Sequence, residues 1–97
     1  MIASLKDVEL TLVGADGEVL REYDDITLLC AIPATGKGNA DGEVIKSGTR
    51  ATIISIFEQE NVADLECYVS PAHFAFGTGL PGNMKLVQRR EEKLKNA

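Results

Sequence analysis

Residues 46–57 read Lys46-Ser47-Gly48-Thr49-Arg50-Ala51-Thr52-Ile53-Ile54-Ser55-Ile56-Phe57, and this run decides the fold. β-Branched residues dominate from Thr49 to Ile56, and such residues favour the extended, pleated backbone of a strand. Gly48 gives the strand a flexible start, and the polar residues 58–61 close it. The run predicts the central strand of a small all-β domain.

Segments on both sides of this run also have strand patterns. Apolar and polar residues alternate from Val8 to Leu12, and the Asp16-Gly17 pair favours a tight turn. We therefore expect an N-terminal hairpin over Val8–Tyr23. Alternation returns over Ala63–Val69, which predicts a partner for the central strand, and Met84–Val87 supplies a closing apolar segment.

Three further segments lie between these patterns. Continuous apolarity over Ile26–Ile32 suits a strand that is covered on both faces, and a short helix is the alternative that periodicity alone leaves open. Residues Pro33–Gly42 contain three glycines and no large apolar side chain, which predicts a loop. Glycine and proline over Gly77–Gly82 predict a second loop, with a brief edge strand before it.

The 97-residue chain is 44% hydrophobic and 26% charged, a balance typical of one globular domain. We expect a single β domain over residues 1–88, built as a rolled antiparallel sheet. Residues 89–97 form a charged C-terminal tail of helix-forming residues that is too short to be a stable helix alone. The tail is expected to be a short helix, a frayed turn or disordered, and to become ordered only against a partner.

The net charge of −5 is unevenly distributed. Residues 1–84 contain thirteen acids and five bases, a balance of −8, whereas residues 85–97 contain two acids and five bases, a balance of +3. An acidic body is repelled by phosphate backbones, so the folded part is better suited to a protein partner with a basic surface than to nucleic acid.

The cysteines and the N-terminus predict a cytoplasmic protein. Cys30 and Cys67 each lie in an apolar run and are expected to be buried, unpaired thiols. The N-terminal residues lack a basic region followed by a long apolar segment, and no apolar run approaches the ~18 residues of a membrane span.

The order of these segments resembles an SH3-like small barrel of the bacterial kind, related in outline to KOW-type modules. The segments concerned are the apolar strand ending at Ile32-Pro33, the glycine-containing loop, the run from Ile45 to Ile54, the alternating strand Leu65–Val69 and the closing Met84–Val87. The resemblance covers Asp25 to Val87. Position 51 is alanine where KOW-type modules usually have glycine. The resemblance implies a barrel that binds protein or nucleic acid rather than an enzyme, and it implies no site.

The segments that resemble cofactor or metal motifs lack other residues that such sites need. Gly77-Thr78-Gly79-Leu80-Pro81-Gly82 matches the dinucleotide-binding pattern, but only fifteen residues follow it. Segments 35–38 and 39–42 lack the residues that a phosphate loop or a calcium loop needs. Without a cluster of His and Cys side chains, we expect neither a cofactor nor a metal.

Catalytic candidates are few. Cys67 and His73 could form a nucleophile pair near one strand end. The acids Asp24-Asp25 and Glu58/Glu60 could work as acid and base, but they fall at corners where charges are normally solvated. We therefore expect a protein that is not an enzyme.

The aromatic residues indicate a contact surface. Phe57, Phe74 and Phe76 are expected in the core or at the barrel ends. Tyr68 shares the polar face of its strand with Asp64 and Glu66. A tyrosine flanked by acids is a suitable anchor for a protein contact, so these three are the predicted partner-binding residues.

Three hypotheses follow. The first is a non-catalytic β-barrel module with an accessory, regulatory or neutralising role, which binds another protein. The second is an RNA- or ribosome-associated module that uses Arg50 and the basic residues of the tail. The third is an enzyme that uses Cys67 or His73. A homodimer through the N-terminal hairpin or an open sheet edge is compatible with each.

Overall fold

The predicted central strand, residues 49–56, is present as Arg50–Phe57 in the computed structural model, which describes residues 9–35 and 42–95. The strands are β1 Thr11–Val13, β2 Val19–Arg21, β3 Asp25–Leu28, β4 Ile32–Pro33, β5 Val44–Ile45, β6 Arg50–Phe57, β7 Val62–Ser70, β8 His73–Gly79 and β9 Met84–Gln88. A 3-10 turn, Pro81–Asn83, precedes β9, and the helix α1, Arg90–Lys95, follows it. The all-β fold class is confirmed.

Five strands form one antiparallel sheet in the order β8-β7-β6-β3-β9. Strand β6 is the third of the five and is therefore central, as predicted. Strands β6, β7 and β8 follow one another through short turns, because the polar residues after Phe57 and the Pro71-Ala72 pair interrupt the extended pattern.

The predicted N-terminal hairpin is present as β1 and β2, with Leu12 paired to Leu20. Gly17 adopts φ +82°, a left-handed conformation that glycine takes without a steric penalty. Val8, the first residue predicted for this hairpin, lies outside the described residues.

Strands β4 and β5 form a second small hairpin. Ile32 pairs with Ile45, and the Thr35 amide donates to the Phe76 carbonyl at 2.6 Å, which joins this hairpin to the edge strand β8. The single covered strand predicted over Ile26–Ile32 is therefore wrong, because the chain leaves the sheet after Leu28 and starts β4 at Ile32. Of the predicted loop Pro33–Gly42, residues 36–41 lie outside the described part.

The core lies on the inner side of the rolled sheet. Its largest wholly buried apolar side chains are those of Leu20, Ile26, Leu28, Ile45, Ile53, Ile56, Leu65 and Met84. The cysteine prediction holds for Cys67, which is buried, whereas Cys30 is half-buried, and both are free thiols. No helix in the described part of the chain has the length and apolarity that a membrane crossing requires.

The loop predicted over Gly77–Gly82 is only partly correct. Gly77 and Gly79 belong to β8 and face the core. A Cβ atom at Gly77 would lie 2.7 Å from Ile32 Cδ1, and one at Gly79 would lie 2.8 Å from Leu65 Cδ1. Glycine is required at both positions because the core leaves no space for a side chain there. The turn itself begins after Gly79.

Candidate protein-binding face

Strand β7 brings the three predicted contact residues to one side of the sheet. Because side chains alternate along a strand, Asp64, Glu66 and Tyr68 point outward while Leu65 and Cys67 are wholly buried. Asp64 is exposed, Glu66 is half-buried, and Tyr68 retains 37% of its exposure. The three residues therefore lie in one row on the outer side.

The neighbouring strand β8 adds two aromatic side chains to this side. Phe74 pairs across the strands with Tyr68, and Phe76 pairs with Glu66. They are 51% and 41% exposed, so their predicted place in the core or at a barrel end is wrong. The inward positions of β8 are taken by Ala75, Gly77 and Gly79, and this alternation of small residues is the sequence signal that would have placed both rings outside. We call Asp64, Glu66, Tyr68, Phe74 and Phe76 the outer face.

Phe57, the third aromatic residue predicted to be buried, is also 43% exposed. It is the last residue of β6, where the sheet ends and the turn to β7 begins. It lies at the end of the sheet, but it is not covered.

Tyr68 is held in a fixed orientation on the outer face. Its ring packs edge-on against Phe74, with ring centroids 5.4 Å apart and an interplanar angle of 77°. Its hydroxyl oxygen lies 2.6 Å from Thr52 Oγ1 on β6. Contacts within the chain therefore fix the position of this side chain.

A chain of polar contacts continues from Tyr68 into the molecule. The Thr52 hydroxyl donates to Asp25 Oδ1 at 2.6 Å, and the same oxygen accepts from Lys93 Nζ at 3.0 Å. Arg50 lies 3.7 Å from Asp25 Oδ2. Thr52 and Asp25 are both buried, at 8% and 7% exposure, so the Asp25 charge is matched by cations within the same chain.

A second acidic region surrounds Asp24. This residue is wholly buried, and its carboxylate accepts from the backbone amides of Arg21 at 3.0 Å and Arg90 at 2.9 Å. The Arg89 guanidinium donates to it at 3.1 Å. The expectation that Asp24-Asp25 is a solvated corner is therefore wrong, because the C-terminal segment covers both carboxylates and supplies their donors.

The C-terminal tail is ordered by the acids of its own chain. Arg90 forms a salt bridge to Glu9 at 2.7 Å and donates to the Glu22 carbonyl at 3.1 Å. The side-chain hydrogen bond from Arg21 lowers the pKa of Glu91 to about 2. The tail was expected to order only against a partner, whereas residues 90–95 form a helix on the β domain itself. We call the acids that it contacts, Glu9, Glu18, Asp24 and Asp25, the tail-bound acids.

The acids of the outer face lack such counter-charges within ranges 9–35 and 42–95. Among the residues that the structure describes, neither Asp64 nor Glu66 forms a salt bridge. The Thr78 hydroxyl reaches Asp64 only at 3.5 Å. Two carboxylates with no salt bridge in the described part of the chain therefore lie beside three exposed aromatic rings.

An open cleft of about 320 Å³ lies beside the tail helix, lined by Tyr23, Arg90, Glu91 and Lys93. Tyr23 adopts φ +72°, which is uncommon for a bulky residue. Arg90 and Lys93, which line the cleft, already contact carboxylates of this chain. The cleft is therefore formed by the packing of the tail and is not part of the outer face.

The catalytic candidates lie in three different surroundings. Burial, with a smaller effect of the Glu66 charge, raises the pKa of the Cys67 thiol to about 11, which keeps it protonated. His73 Nε2 lies 2.9 Å from Glu43 Oε2 on the neighbouring hairpin. Glu58 and Glu60 are exposed at the β6–β7 turn. Within the described ranges, no three His, Cys, Asp or Glu side chains are grouped so that they could hold a metal ion.

Comparison with protein-family models, curated proteins and solved structures finds no match to this chain.

Proposed function

We propose that this chain is a non-catalytic small β-barrel module that binds the basic surface of another protein, in an accessory, regulatory or neutralising role. The observation that carries the proposal is the outer face, where exposed aromatic rings adjoin carboxylates that have no salt bridge within the described part of the chain.

The energetics of contact favour this face over the rest of the surface. Aromatic side chains that become buried in an interface supply much of its binding energy, and Tyr68 loses little rotamer freedom because Phe74 and Thr52 already hold it. Asp64 and Glu66 would attract a basic partner and would increase its association rate. The acidic balance of residues 1–84 acts in the same direction.

The proposed SH3-like architecture is supported by the extent of the main sheet. The segment to which the resemblance applies, Asp25 to Val87, begins with β3 and ends within β9. Its first and last strands pair with each other, and β6, β7 and β8 extend the same sheet. The proposal also places the module in the cytoplasm, where the free thiols of Cys30 and Cys67 would remain reduced.

The alternative, RNA binding through the basic tail, has less support. Arg89, Arg90 and Lys93 each contact a carboxylate of the β domain, and Arg50 lies near Asp25. Phosphate groups would have to compete with these contacts. We therefore do not propose this function.

The test is affinity capture from the native cells, with and without nuclease, using wild-type protein and two double variants. Tyr68→Ala/Asp64→Lys changes the outer face, whereas Tyr23→Ala/Glu60→Lys makes the same changes at exposed positions elsewhere. We expect a stoichiometric protein partner that survives nuclease, is lost with the first variant and is kept with the second.

Two results would contradict the proposal. The first is a partner that is captured equally by both variants, since the face would then be wrong. The second is the recovery of RNA-associated proteins only without nuclease, which would favour the alternative function. Light scattering of the wild-type protein and of the first variant shows in parallel whether a second copy of the chain binds through this face.

A further inference from the structure

We propose that the outer face selects arginine side chains of its partner, because the Tyr68 oxygen is held as a hydrogen-bond acceptor. This inference rests on the proposed function and specifies the chemistry of the partner. It follows from the direction of the hydrogen bonds that link Tyr68 through Thr52 to Asp25, and from the charge of the residues around Tyr68.

The hydrogen bonds can be assigned a direction by counting hydrogens. The Thr52 hydroxyl has one hydrogen, and it lies in the 2.6 Å bond to Asp25, because a carboxylate can only accept. The 2.6 Å contact between Thr52 and Tyr68 therefore uses the phenol hydrogen, so Tyr68 donates to Thr52. The remaining capacity of the Tyr68 oxygen is to accept.

Contacts inside the molecule hold the Thr52 hydrogen in its bond to Asp25. Asp25 Oδ1 accepts from Lys93 at 3.0 Å as well as from Thr52, and Arg50 lies near Oδ2. Lys93 and Arg50 place positive charge beside the Asp25 carboxylate, and burial shields the bonds from water. The Tyr68 oxygen can therefore accept a hydrogen bond from a donor group on the partner.

The other residues of the outer face also favour a positively charged hydrogen-bond donor. Asp64 and Glu66 accept hydrogen bonds when ionised, and the faces of Phe74 and Phe76 attract cations. Phe76 lies directly across from Glu66, which places a flat ring beside a carboxylate. The complementary group therefore carries several donors, is positively charged and stacks on aromatic rings.

Arginine meets these requirements better than lysine does. Its planar guanidinium can stack on a ring while its edge donates to Glu66 and to Tyr68, whereas an ammonium group is a compact, strongly hydrated charge.

The experiment is an NMR titration of the full chain with three probes: the N-acetyl methylamides of arginine, lysine and citrulline. Citrulline has nearly the shape of arginine but no charge. The ring resonances of Tyr68, Phe74 and Phe76 report binding. We expect saturable shifts with arginine in the millimolar range, affinity for lysine at least about threefold lower, and no saturation with citrulline.

Two variants test the acceptor, and one serves as the control. Tyr68→Phe keeps the ring and removes the oxygen, and it should weaken arginine binding about fivefold, the effect of one hydrogen bond. Thr52→Val removes the group that fixes the phenol hydrogen and should weaken it about twofold. Tyr23→Phe removes the other phenol oxygen, which lies beside the tail helix, and should change nothing.

Equal affinities for the three probes, or an unchanged affinity in Tyr68→Phe, would overturn the inference. Because Tyr68→Phe leaves the contacts of Thr52 with Asp25 in place, this variant remains decisive if Thr52→Val fails to fold. The capture experiment separates this inference from the proposed function. A protein partner that is lost with Tyr68→Ala/Asp64→Lys, while the probes show no preference for arginine, would contradict only the inference.

Discussion

The tail-bound acids and the acids of the outer face have the same chemistry but different surroundings. Asp24 and Asp25 are buried and contact Arg89 and Lys93 of the C-terminal segment. Asp64 and Glu66 have no salt bridge among the described residues and adjoin exposed rings. The difference divides the acids of residues 1–84 into those that bind the basic tail within the chain and those that, under the proposed function, would contact a partner.

The largest effect is expected from Asp24→Asn. The substitution removes the charge that faces Arg89 and Arg21 and turns an acceptor oxygen into a donor beside their N–H groups. The free energy of unfolding should fall by about 3 kcal/mol, as measured by urea denaturation.

Asp64→Asn is the matched control for that substitution, since it makes the same change on the outer face. It should alter stability by less than about 0.5 kcal/mol, as expected for an exposed residue. Equal losses in the two variants would mean that the two regions do not differ in the way described.

Partner affinity should depend on the outer face and not on the buried Asp24, which is the reverse of the pattern expected for stability. Tyr68→Ala removes the aromatic anchor and should weaken binding of the captured partner about thirtyfold, or ~2 kcal/mol, measured by isothermal titration calorimetry. Asp24→Asn, tested under conditions in which it is folded, should bind the partner nearly as well as wild type. A loss of affinity that followed stability in both variants would argue against a separate binding face.

The tail helix should loosen in acid. The pKa of Glu91 is lowered from 4.5 to about 2 by its hydrogen bond from Arg21, so the unfolded or undocked tail binds more protons than the docked one between these values. The contribution of Glu91 is therefore complete above about pH 4.5 and is lost as the pH falls toward 2. Amide chemical shifts of residues 90–93, followed by NMR, should report the change, and Glu91→Gln should reduce it.

Lys93→Met should have a much smaller effect on stability than Asp24→Asn. Lys93 donates to Asp25 from a partly exposed position, and Thr52 and Arg50 remain near that carboxylate after the substitution. A loss of about 0.5–1 kcal/mol in the free energy of unfolding is expected. Lys85→Met on the exposed side of β9 is the control and should leave stability unchanged.

Local patterns in the sequence predicted the strands of the fold, but they did not predict the contacts of the tail. The β-branched run identified the central strand, and alternation along β7 placed Tyr68 with Asp64 and Glu66. The burial of Asp24 depends on Arg89, which is 65 positions away in the sequence, and no local period reports such a contact. The outward placement of Phe74 and Phe76 was predictable from the small residues between and after them, but the expectation placed both rings in the core or at a barrel end.

The most direct test of the account compares Glu66→Gln with Glu18→Gln in the affinity of the captured partner. Both changes remove one negative charge, the first from the outer face and the second from the tail-bound acids, where Glu18 lies 3.5 Å from Arg89. We predict that Glu66→Gln weakens binding about tenfold, or 1.4 kcal/mol, and that Glu18→Gln leaves it unchanged. Equal effects of the two substitutions, or a larger effect of Glu18→Gln, would contradict the claim that the outer face carries the binding function.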